Sequence, residues 1–101
     1  MTLDFFANNY NLGDFDIKKI YIKDNKLYLK AVYNVYLELI ANGYRPEMNM
    51  DVEKTFVFLC NHIDKAFKSK NIEVIEKKIN ELVIKVDNEL LDLYGNVEIL
   101  K

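Results

Sequence analysis

Between Ile72 and Leu93 the apolar residues Ile72, Ile75, Ile79, Leu82, Val86, Leu90 and Leu93 recur at steps of three and four, the period of one helix face. That spacing predicts a helix. Asn71 is placed to cap its start, Glu73 suits the positive end of its dipole, and Gly95 lies where a left-handed residue commonly ends a helix. Residues 51 to 67 repeat the pattern with Val52, Phe56, Leu59, Ile63 and Phe67. The polar turn Lys68-Ser69-Lys70-Asn71 would then fold the two segments into an antiparallel helical hairpin.

Residues 26 to 42 begin with a strand-like alternation and continue as an apolar run too long for a typical strand, so they too are expected to be helical. Tyr28, Val32, Val35, Tyr36 and Leu39 would share one face, with Asn42-Gly43 as the stop signal. The expected fold is mainly α, a small single-domain helical bundle spanning residues 1–101 with a C-terminal antiparallel helical hairpin. The alternative is α+β, with an N-terminal β-hairpin turning at Asp24-Asn25 and pairing Ile20 and Ile22 with Leu27 and Leu29. The layout of such a bundle is loosely similar to small helical bacteriocin-immunity proteins, without a shared motif, and no site is transferred from them.

The 101 residues hold 50% hydrophobic and 30% charged side chains, one proline and one cysteine. This excludes disorder, a disulfide scaffold and a membrane-spanning run of about 18 apolar residues. The opening segment carries acidic Asp4 where a secretory leader would be basic, so a cytoplasmic protein is expected. Abundant Lys, Asn, Ile, Tyr and Phe beside scarce Arg, Ala, Gly and Pro read like AT-rich codons, as in a low-GC bacterium, its phage or a mobile element.

If the helices form, some apolar side chains are left over. Residues 28 to 40 would cover roughly 200° of helix arc, wider than one core-facing stripe, with Tyr33 and Leu37 at its far edge. Phe58 would project opposite Val52 and Ile63, onto the face carrying Lys54, Asn61 and Lys65. Ile84 and Leu91 would form a second seam two turns long. Tyr44 and Arg45 stand in the loop NGYRPEMN, which Pro46 restricts, and both residue types are enriched at interface hot spots. Tyr33, Leu37, Tyr44, Arg45, Phe58, Ile84 and Leu91 are therefore the candidate partner-binding residues.

Charge is arranged in blocks. Lys18, Lys19, Lys23, Lys26 and Lys30 are opposed between residues 17 and 30 only by Asp24, and a weaker cluster follows at Lys65, Lys68, Lys70, Lys77 and Lys78. The first five are the candidate phosphate contacts of a nucleic-acid-associated dimeric regulator. A net charge of −2 argues against nucleic acid as the partner.

Chemistry-bearing residues are few: one Cys, one His, one Ser and two Thr. Cys60 and His62, two apart, would point in different directions on a helix and could not act as a nucleophile–base pair. No zinc, EF-hand or phosphate-loop spacing occurs, so no catalytic residue, metal ligand or cofactor is assigned. The expected function is a small non-catalytic protein-binding module acting by occlusion, such as an inhibitor, immunity factor, antitoxin-like partner or assembly adaptor, its partner another protein or a second copy of the chain. The nucleic-acid regulator and a structural subunit of a phage or mobile-element assembly are the alternatives.

Overall fold

The computed structural model describes residues 1–34 and 51–100. It is mostly β, and both the helical bundle and the helical C-terminal hairpin are overturned. One α-helix, α1 (Leu3–Asn9), and a single 3-10 turn at Leu12–Asp14 lead into β1 (Asp16–Lys23), β2 (Lys26–Asn34), β3 (Asp51–Cys60), β4 (Lys65–Ala66), β5 (Glu73–Lys78), β6 (Glu81–Val86) and β7 (Glu89–Leu100). These strands form one antiparallel sheet in the order β4-β1-β2-β3-β7-β6-β5, curled into a half-barrel around α1.

The turns show why strands won. Asp24-Asn25 and Asp87-Asn88 are two-residue connections with positive φ at both positions, the geometry that matches the right-handed twist of flanking strands. Ile79-Asn80 closes the third tight hairpin, with Asn80 at φ 51°. The β1–β2 pairing puts Ile20 opposite Leu29 and Ile22 opposite Leu27, so that hairpin is present, but within an all-antiparallel sheet rather than beside helices.

The three-and-four spacing in the last third of the chain comes from two strands of period two read across the Asp87-Asn88 turn. Leu82, Ile84 and Val86 of β6 face the core, as do Leu91 and Leu93 of β7, with Ile84 directly opposite Leu91. Ile75, Ile79 and Leu90, expected on the buried helix stripe, are exposed. In β3 the same alternation turns Phe56, Phe58 and Cys60 inward together.

Bulges at Lys18, at Ile75 and at Gly95-Asn96 interrupt the ladder, and a bulge of this kind bends its strand and increases the local twist. Gly95 is the residue that permits the bend in β7: its φ is +76°, and an added Cβ would lie 2.9 Å from a Leu59 methyl. It marks a bulge, not the end of a helix.

Helix α1 fills the concave side. Thr2 caps it by accepting from the Phe5 amide, and Leu3 and Phe6 are buried. The Phe6 ring stacks on Tyr10 at 5.1 Å and meets Phe56 and Phe58 edge-on at 5.3 and 5.1 Å. Two backbone hydrogen bonds join Met1 to Val97, and Asp4 accepts from the Asn80 amide and the Lys77 ammonium. No helix among the described residues is long and apolar enough to cross a membrane.

Candidate functional site

Four candidate partner-binding residues prove to be core. Phe58, Ile84, Leu91 and Tyr33 are each at most 5% exposed, because strand alternation rather than a helical wheel sets their direction. They hold the half-barrel together and present no surface to a partner. Leu37, Tyr44 and Arg45 lie outside the described residues, as does the loop from 42 to 49.

Exposed apolar residues gather at one edge of the sheet, while Ile63, Leu90, Tyr94 and Leu100 are exposed singly elsewhere. All six residues of β5 are exposed, and its outer side carries no neighbouring strand among the described residues. Val74 and Ile75 are about half exposed there, and Ile79, in the turn that follows, is 93% exposed. That turn is held firmly: Asn80 donates to Asp4 and accepts from the Leu3 amide. Phe5, 53% exposed, follows Asp4 directly in α1. Between the end of α1 and β5 runs an open groove of about 520 Å³, lined by Phe6, Tyr10, Leu12, Val74, Lys77 and Leu82 among others. The bulge at Ile75 and the charged Lys77 and Lys78 are the means by which an edge strand resists indiscriminate pairing.

The convex face gathers the lysine cluster. β1 and β2 read KIYIK and KLYLK on either side of the Asp24-Asn25 turn, and antiparallel pairing sets Lys19 against Lys30, Tyr21 against Tyr28, and Lys23 against Lys26. The tyrosine rings are stacked, 4.8 Å apart and 2° from parallel, and the Lys19 ammonium stands 5.1 Å from the Tyr21 ring centre. Lys30 pairs with Glu53 at 3.2 Å. Lys18, displaced by its bulge, pairs with Asp16, which raises its pKa. Lys19, Lys23 and Lys26 make no ion pair among the described residues.

The opposite half of the convex face carries Glu81 and Asp92 with the interspersed Lys78 and Lys85. Glu81 of β6 lies beside Asp92 of β7, and the hydrogen bond that its protonated carboxyl can donate to Asp92, with partial desolvation and the nearby Asp92 charge, raises the Glu81 pKa. Asp4 behaves oppositely: the Asn80 amide, assisted by Lys77, lowers its pKa. Cys60 is buried, and desolvation raises its thiol pKa, an environment that keeps a thiol protonated and inert. Among the described residues no group of three or more His, Cys, Asp or Glu side chains is placed to hold a metal ion.

Ile75 and Ile79 escaped the sequence reading because they fitted the helical stripe. Tyr21 and Tyr28 could have been found from the mirror symmetry of KIYIK and KLYLK about Asp-Asn, which a hairpin converts into matched cross-strand pairs. No family model, curated protein or solved structure matches the chain.

Proposed function

We propose that this protein is a non-catalytic module that binds another protein and acts by occluding it, and that β5 with the β5–β6 turn makes the contact. The observation that carries this reading is the exposure of Val74, Ile75 and Ile79 on an edge strand whose turn is fixed to α1 by Asp4 and Asn80. Fully burying an exposed side chain of this kind contributes about 1.5–3 kcal/mol, and about half that for Val74 and Ile75, which are already half covered, so the three together are enough for hot-spot anchoring. Because the bulge and lysines disfavour strand addition, the contact is one of side chains, with the adjacent groove as the receptor for the partner's own apolar groups. An inhibitor, immunity factor, antitoxin-like partner or adaptor all work in this way.

Affinity capture from host extract, washed at about 0.3 M salt to screen exposed charge pairs, tests the reading. The unaltered chain should retain a specific protein, and Ile75→Asp with Ile79→Asp should lose it while melting at the same temperature. Retention of the same protein by both chains would place the contact elsewhere, and retention of nothing specific by either would sink the binding role.

A further inference from the structure

Beyond protein binding at β5, we infer that the convex face of the β1–β2 hairpin is a docking site for single-stranded nucleic acid. Lys19, Tyr21 and Lys23 stand beside Lys30, Tyr28 and Lys26, so two cationic pairs flank one aromatic pair. Like charges directly opposite on a sheet are destabilising, and here this happens twice on one hairpin, with Glu53 the only carboxylate paired to any of the four lysines among the described residues. An anionic ligand would remove that cost. The cationic pairs are separated by four residues of strand, about 13 Å, with the tyrosines midway. Cation, aromatic, cation is the order in which a single strand offers phosphate, base and phosphate, whereas an acidic polypeptide would use the lysines alone and leave the tyrosine pair stacked only on itself. Asp24 and Asp64 at the turn end and Glu53 at the far end bound the patch, confining it to a short stretch of ligand.

The probe is a fluorescent oligothymidine about 12 nucleotides long, followed by anisotropy across a salt series. Four phosphate contacts predict a slope of about −3 in log affinity against log salt, roughly a 50-fold loss between about 50 and 200 mM. Lys23→Gln with Lys26→Gln should reduce that loss to roughly sevenfold while leaving the melting temperature unchanged or higher, since a repulsive pair has been removed. Tyr21→Val with Tyr28→Val, which keeps strand propensity, should weaken binding at an unchanged slope. Polyglutamate should not displace the oligonucleotide. No binding at low salt overturns the inference. So does displacement by polyglutamate together with a tyrosine variant that binds like the unaltered chain, an outcome that assigns the face to an acidic polypeptide. Ile75→Asp with Ile79→Asp should bind the oligonucleotide normally, which separates failure here from failure of the β5 contact.

Discussion

Asp4 and Glu81 are two carboxylates close to the same end of β6 with opposite effects on folding. Asp4 is held as an anion by the Asn80 amide and Lys77, so its pKa is lower folded than unfolded. It stabilises the fold above the ordinary aspartate range near 3.9, and the contribution is lost as acid protonates it. Glu81, whose protonated form donates to Asp92, has a raised pKa, so its ionisation opposes folding, and the benefit of its protonated form is lost as pH rises through the folded value. At neutral pH, Asp4→Asn should lower the melting temperature and Glu81→Gln should raise it. Thermal melts in a descending pH series should show both differences shrinking as each carboxylate becomes protonated in the parent chain. Single residues also show why a helical wheel misleads: Phe58 looked misplaced only because a period of 3.6 was applied to a strand, where it falls in step with Phe56 and Cys60.

At the scale of elements, the hairpin at Asp24-Asn25 was legible because polar turn residues stand between two alternating runs. The β6–β7 hairpin was not, although Asp87-Asn88 repeats the same dipeptide, because leucine, isoleucine and valine on both faces of the strands also satisfy helical spacing. The candidate surface followed the same division: the lysines were named from their clustering, while the exposed edge at Ile75 and Ile79 depends on a strand order that no local pattern contains. Gly95 offers a direct test of the bulge in β7. Gly95→Ala forces a side chain into the left-handed region and against Leu59, and should cost about 1–3 kcal/mol in a denaturant titration. A helix-ending glycine in the same conformation would lack the Leu59 contact, so Leu59→Ala should recover part of the loss in the Gly95→Ala background and none would be recovered at a helix end.

For the molecule as a whole, the half-barrel has one filled side, and α1 is the filling. Phe6 alone touches the rings of Tyr10, Phe15, Phe56 and Phe58, so removing residues 1–10 would expose the inner faces of the central strands to water. The truncated chain should bind a hydrophobic dye and associate in light scattering, whereas a sheet stable without its helix would stay dispersed and dye-free. Charge on the outer face is uneven, with lysines gathered over β1 and β2, and Glu81 and Asp92 with the interspersed Lys78 and Lys85 over β5 to β7, so the two halves present different fields.

The pairing of Met1 with Val97 spans 96 positions. During synthesis at about 5–20 residues per second, the aromatic-rich leading segment emerges some 5–19 s before the strand it must meet. Chains that stop short of β7 should therefore be protease-sensitive, because the contacts of α1 with β7 close the longest loop among the described residues.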